Sequence, residues 1–227
     1  MVSREIESLK ETLRKTFNWM GHATFFFQPD TGERIFFIDP FNLKHDFGNK
    51  KADFVFITHA HNDHWSTKDL QKVVKDDTKI FAVQGCEDFS HENLEILKPG
   101  DYKNLEGIKI RAVPAYNIHP ERLVYHPREN NWIGYIFTIN NQTFYHAGDT
   151  DFTDEMKQLT DLDVAFLPIG GTFTMDVMEA AEASNHIRPK ITVPIHYRAL
   201  LKEQYHAAEE KLKKAVKGEV LILNEYS

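Results

Sequence analysis

Thr58-His59-Ala60-His61-Asn62-Asp63-His64, directly after the apolar run Phe54-Val55-Phe56-Ile57, decides how this chain is read. Three imidazoles and a carboxylate fall within the six residues from His59 to His64. In extended chain, side chains at i and i+2 point the same way, so His59 and His61 can converge on one cation as the strand ends. Asp63 and His64 follow where the chain must turn, within reach of a second cation. Neutral imidazole and carboxylate are the donors that borderline divalent ions prefer, zinc first, with manganese or iron as alternatives. A polar loop that happens to be rich in histidine is the plain alternative, and the spacing at a strand end speaks against it.

Further along, Gly21-His22-Ala23, Ile38-Asp39-Pro40, His146-Ala147-Gly148-Asp149-Thr150, Leu167-Pro168-Ile169-Gly170-Gly171 and Pro194-Ile195-His196-Tyr197 follow in order. With His59-x-His61-x-Asp63-His64 they resemble the metallo-β-lactamase superfamily over residues 20–220, and within it the small stand-alone hydrolases that include ascorbate phosphate lactonases. The resemblance implies an α/β fold, a four-layer αβ/βα sandwich of two mixed β-sheets flanked by helices. It also implies a metal-dependent hydrolase with one or two divalent ions per chain. His59, His61, Asp63, His64, Asp149 and His196 match the family's ligands, Asp149 as the carboxylate shared by both ions and His196 as the residue completing the second site. Asp63, His59 and His61 are the residues expected to carry catalysis, with Asp63 steering the attacking water or relaying its proton. Water deprotonated at the ions near neutral pH would be the nucleophile.

One position departs from the family pattern. Where the family supplies a further histidine at a strand end, Val113-Pro114-Ala115-Tyr116-Asn117 ends on Asn117, and an amide oxygen is a weaker ligand than imidazole. Asn117 serves poorly, His119 or His126 on the following loop replaces it, or the site of His59 and His61 is only partly filled. His126 is the preferred substitute, because its loop must return toward Trp132. Asp39 resembles the family's buried aspartate, which accepts a hydrogen bond from a ligating histidine and fixes its tautomer; an Asp-Pro turn is the alternative. His22 is a candidate for the metal or the pocket lining, with a purely structural role as the alternative. Gly170-Gly171-Thr172 offers either backbone N–H groups for an anion or simply a tight turn.

Composition bounds the remaining choices. The 227-residue chain is 41% hydrophobic with 17 phenylalanines, which excludes disorder and suits one compact core. Its net charge of −7 disfavours a nucleic-acid partner, and the expected partner is a small-molecule substrate carrying an anionic group. The family resemblance implies that such a substrate would be split at a lactone, ester or phosphodiester bond. A nuclease of the same superfamily and a non-catalytic metal-binding protein are the alternative readings. Cys86 is the single cysteine, so there is no internal disulfide, and a small buried apolar role is expected for it. No apolar stretch approaches bilayer length, and the charged N-terminus is unlike a signal peptide, so no membrane association and a cytoplasmic location are expected.

Strands are expected at residues 25–27, 35–38, 54–57, 108–112, 132–139, 143–146, 163–167 and 191–195, with turns at Pro29-Asp30-Thr31-Gly32 and Asn140-Asn141. Helices are expected after a cap at Ser66 or Thr67, over 177–186 and over 200–216. Ile6, Leu9, Leu13 and Phe17 recur at helical spacing and define an amphipathic N-terminal helix over 1–18, ahead of a hydrolase domain over 19–227. That stripe packs on its own domain or, alternatively, forms a homo-oligomer contact.

Overall fold

A computed structural model of the chain describes residues 2–29, 34–44 and 47–226. Of the turn expected at Pro29-Asp30-Thr31-Gly32, only Pro29 lies within the described residues. Two compact units are formed, one running to Leu97 and taking in the residues from Leu223, the other spanning residues 98–222. No helix among the described residues is long and apolar enough to cross a membrane.

The first unit contains α1 (Val2–Thr16), β1 (Phe17–Trp19), β2 (Phe25–Phe27), β3 (Phe36–Ile38), β4 (Phe54–Phe56), α2 (Thr67–Val73), β5 (Lys79–Ala82) and β6 (Leu94–Ile96). Its sheet runs β1-β2-β3-β4-β5-β6, antiparallel from β1 to β3 and parallel from β3 to β6. Strands of three or four residues make few ladder bonds, so side-chain burial has to hold them. In register, Phe26 faces Phe37 and Phe27 faces Phe36, with ring centroids 4.7 Å and 4.5 Å apart, and Phe56 stacks on Phe81 at 5.5 Å. Each buried phenylalanine is worth roughly 1.5–3 kcal/mol relative to exposure. Residues on β2, β3 and β4 are buried on both faces, which is why these segments read as unbroken apolar runs without alternation.

Helix α1 packs on β1, with Leu9 and Leu13 buried and Ile6 only half-buried. The helix stops at Thr16, so Phe17, read above as its fourth apolar position, instead begins β1 and pairs with Phe27. Ser66 caps α2, its side chain accepting from the Asp69 N–H.

The second unit contains β7 (Tyr102–Leu105), β8 (Ile108–Pro114), β9 (Ile133–Ile139), β10 (Gln142–His146), β11 (Val164–Pro168), α3 (Val177–Ile187), β12 (Ile191–Ile195), α4 (Arg198–Leu201), α5 (Tyr205–Ala215) and β13 (Glu219–Val220). Its sheet runs β13-β12-β11-β10-β9-β8-β7, antiparallel from β7 to β10 and parallel beyond. Each unit therefore begins as an antiparallel meander and continues as a parallel sheet. Asn140 and Asn141, both at positive φ (50° and 62°), form the tight turn joining β9 to β10. Asp176 caps α3 through a reciprocal capping box with Glu179, and the helix ends at Arg188 in the left-handed region. The single helix expected over 200–216 is broken: α4 ends at Leu201, Lys202 adopts φ 48°, and α5 starts only at Tyr205.

Candidate metal centre

In the first unit the parallel strands β3 and β4 end side by side, and each delivers one half of a hydrogen-bonded set. Asp39 follows β3 with φ 44°, its N–H donating to the Phe56 carbonyl of β4 at 3.0 Å. Its side chain is fully buried and accepts from the Thr58 N–H at 2.8 Å and the Thr58 hydroxyl at 2.6 Å. The same carboxylate lies 2.7 Å from His64 Nδ1. A carboxylate only accepts, so His64 carries its proton on Nδ1 and presents Nε2 as a lone-pair donor. The Thr58 hydroxyl spends its one proton on Asp39, so at 3.0 Å from His59 Nδ1 it accepts from that ring. His59 thereby carries its proton on Nδ1, as His64 does, the tautomer in which Nε2 holds the lone pair.

The turn after β4 is closed by the His64 and Trp65 N–H groups, which both donate to the His61 carbonyl at 2.9 Å and 2.7 Å. That curl brings the His59 ring edge-on to His61 and tilted against His64, with ring centroids 4.8 Å and 3.9 Å apart. Donor atoms of His59 and His61 lie within 4.8 Å of each other, as do those of His59 and His64. The same holds for the three donors of His22, Asp63 and His64. His22 reaches this cluster from a left-handed turn at φ 51°, where its Nε2 lies 3.1 Å from Asp63 Oδ2.

In the second unit, candidate donors gather at the ends of β10 and β12 and on the loop after β8. Asp149 follows β10 and is buried; its Oδ2 lies 3.0 Å from His196 Nε2 and 3.4 Å from His126 Nε2. His196 follows β12 at φ 56°. Gly170 makes room for it: a Cβ at position 170 would stand 2.5 Å from the His196 carbonyl oxygen and 2.6 Å from the Leu200 side chain. Of the two histidines offered as substitutes at the departing position, His126 is buried beside Asp149 whereas His119 is exposed.

Asn117 is buried, and its Nδ2 lies 2.8 Å from the Arg122 carbonyl, 2.8 Å from the Phe173 carbonyl and 3.1 Å from His126 Nδ1. Gly171 resolves as a tight turn, because its N–H donates to the Met175 carbonyl at 3.1 Å and is not offered to an anion.

Several residues that frame these groups were invisible to motif reading. Thr58 is one. Asp151 is another: its Oδ2 accepts from the Ile118 and His119 N–H groups at 2.8 Å each, and its Oδ1 lies 3.1 Å from Arg122 Nε. The Arg122 guanidinium also donates to the Thr174 carbonyl at 2.7 Å and to both Glu179 carboxylate oxygens, at 2.8 Å and 2.5 Å. Burial alone would push Glu179 up, but Arg122 and the Asp176 N–H outweigh it and hold that carboxyl below its ordinary value. Their only sequence signals were an acidic residue two beyond Asp149 and a lone arginine within a metal-site loop. Cys86 is buried and its thiol is pushed up to about 12, chiefly by burial, so it stays protonated and plays the apolar role expected of it.

As a donor set these groups fit a borderline divalent ion. The imidazoles of His59 and His64 have Nδ1 engaged by second partners and Nε2 directed elsewhere, the arrangement ligating histidines adopt. Carboxylates of both units stand among imidazoles and no thiolate takes part, which suits zinc, manganese or iron better than calcium.

Residues 16–196 match the model of the beta-lactamase superfamily domain, and the chain belongs to that superfamily. It is 33% identical to the UPF0173 metal-dependent hydrolase of Nanoarchaeum equitans, over 91% of this chain and 95% of that protein. With the UPF0173 metal-dependent hydrolase of Thermococcus onnurineus the identity is 34%, over 90% and 94% of the two chains. The crystal structure of a Parabacteroides distasonis protein proposed to be a metal-dependent hydrolase superposes with a TM-score of 0.81 at 35% identity, covering 92% of this chain and 93% of that one. YhfI of Bacillus subtilis, a metallo-β-lactamase fold protein, is 15% identical with a TM-score of 0.69 over 93% and 96% of the two chains, which shows the shared fold. The chain is thus an α/β protein of the metallo-β-lactamase fold and a metal-dependent hydrolase.

Proposed function

We propose that this hydrolase acts on a small anionic substrate at a lactone, ester or phosphodiester bond. His59, His61, Asp63 and His64 of the first unit, and His126, Asp149 and His196 of the second, are the residues that would hold one or two divalent ions, zinc by preference. The observation that carries this reading is the set of buried donors whose second nitrogens are already engaged, His64 on Asp39 above all. When bound, the metal supplies Lewis acidity and a lowered pKa for water near neutral pH.

The residues do the rest. Asp39 and Thr58 hold the tautomers of His64 and His59, so the donor nitrogens are presented without reorganisation. Asp149 places a negative charge among imidazoles, which would moderate repulsion between cations. Asp63, the most exposed of the carboxylates with 43% of its side chain accessible, is the group placed to take a proton from attacking water, and His22 beside it to steady the resulting acid. A net charge of −7 disfavours long polyanions and leaves a small anion drawn to a cationic centre.

The test is elemental analysis of the purified chain followed by turnover of phosphodiester, lactone and thioester panels at defined metal loading. Roughly one to two ions per chain and chelator-sensitive turnover of a small anionic substrate are expected. Full activity without metal would sink the metal reading. Tight RNA binding that weakens steeply with salt would favour the nuclease reading.

A further inference from the structure

We propose that Asn117 is a positioning residue that holds His126 in place as a metal donor, and is not itself a ligand. The inference rests on the reading of His126 as a donor given above. At the position where the superfamily pattern has a ligating imidazole, this chain has an amide whose nitrogen faces inward onto protein. Asn117 Nδ2 has two hydrogens, and two carbonyl oxygens, those of Arg122 and Phe173, stand 2.8 Å from it. The His126 ring lies against the same nitrogen, with Nδ1 at 3.1 Å; both amide hydrogens are taken by the carbonyls, so Asn117 holds the ring by packing and does not donate to Nδ1. This orientation of the amide is fixed by its surroundings, since a flip would press the Asn117 oxygen onto two other oxygens.

The backbone adds a second clasp. Asn117 N–H donates to the His126 carbonyl at 2.8 Å, closing the intervening loop into a ring that begins and ends at these two residues. Inside that ring the Arg122 carbonyl accepts from the Asn117 side chain, while the Arg122 guanidinium anchors the loop to Asp151, Thr174 and Glu179. Asn117 therefore ties the loop to itself and to Phe173, and the group supported above it is the His126 ring, whose Nε2 points at Asp149. A neutral imidazole at position 117 has one N–H and could keep at most one of the two carbonyl contacts, so Asn117→His would weaken the loop.

Asn117→Asp separates the two roles, because it keeps the side-chain oxygen and removes the NH2. A ligand role predicts tighter metal binding, carboxylate being the stronger donor. A positioning role predicts weaker binding, because a carboxylate would face two carbonyls. Metal retention is read by elemental analysis after equilibrium dialysis against a chelator, for the wild type, Asn117→Asp, His126→Ala and the double variant, with circular dichroism confirming the fold. Expected is a loss of about 10–100-fold in affinity for one ion in Asn117→Asp, the range typical of groups that orient ligands. The double variant should bind no worse than His126→Ala alone, because Asn117 acts through His126.

Unchanged or tighter binding by Asn117→Asp that persists in the His126→Ala background, or additive losses in the double variant, overturns the proposal, whereas a gain that vanishes with His126 shows position 117 acting through that ring. Should Asn117→Asp fail to fold, the zinc-loaded wild type decides: a crystal structure with Asn117 Oδ1 at about 2.0–2.2 Å from zinc would make it a ligand, and His126 alone at bonding distance would uphold the proposal. A wild type that retains no ion in dialysis defeats the functional reading itself, and this inference with it.

Discussion

Asp39→Asn changes one atom in a fully buried group and should cost the metal centre about as much as deleting the side chain. The carboxylate accepts three hydrogen bonds, from the Thr58 N–H, the Thr58 hydroxyl and His64 Nδ1, at 2.8, 2.6 and 2.7 Å. Asparagine tolerates the left-handed backbone at position 39, so the fold itself should survive. Its oxygen can keep the Thr58 N–H, but its NH2 must then face the Thr58 hydroxyl and His64. Facing a donor, His64 Nδ1 becomes the acceptor, and the ring proton moves to Nε2, the atom that has to bind metal.

A charge-assisted hydrogen bond is worth roughly 1.5–3 kcal/mol. Measured losses for partners that orient metal-binding histidines are about 10–100-fold in affinity, which at about 1.4 kcal/mol per decade spans nearly the same range. Competition with a chromogenic chelator reads the affinity directly, and a thermal melt of the metal-free protein reads the fold. An Asp39→Asn protein that holds metal within about twofold of the wild type would refute the tautomer argument.

Tyr145 is fully buried and its hydroxyl makes no hydrogen bond among the described residues, so Tyr145→Phe should stabilise the chain by about 1 kcal/mol in urea denaturation. A loss of stability would reveal a partner for that hydroxyl. Gly170→Ala should push His196 off its position and lower metal retention at a stability cost of about 1–3 kcal/mol; normal retention would mean the turn yields without moving the ring. Glu179 is held below its ordinary 4.5 in the folded chain, so its stabilising contribution is complete above that value and fades as pH falls through the folded pKa. Glu179→Gln should accordingly lower the melting temperature near neutrality and flatten its decline in acid, whereas melting curves that run parallel to the wild type at every pH would exclude that linkage.

What the sequence disclosed was mostly local. His59, His61, Asp63 and His64 lie in one turn, and the strand before them is an apolar run that only a doubly buried strand explains. Contributions that depend on distant chain returning to one place were harder to see. Asn117 and His126 could each be proposed for the missing donor, but nothing in a linear reading showed that the backbone of one closes on the other. The set of buried Arg122 and Asp151 with half-buried Glu179 is spread over nearly sixty positions, each ordinary in its own neighbourhood. Strands β6 and β13 escaped because, unlike the equally short and wholly buried β2, β3 and β4, they are largely exposed and carry no apolar run. The break in the last helix escaped because Lys202 is an unremarkable helix former until its backbone is seen.

His22, Asp39 and His196 all hold the left-handed backbone, a conformation that glycine adopts without strain. At each of these positions the chain retains a side chain that its own backbone disfavours. A descendant lineage relieved of metal chemistry would shed that strain by exchanging these residues for glycine, at Asp39 against the loss of three buried hydrogen bonds. Glycine at 22, 39 and 196 would then be an early mark of a relative that has kept the fold and given up the reaction, legible before the histidine motif itself decays.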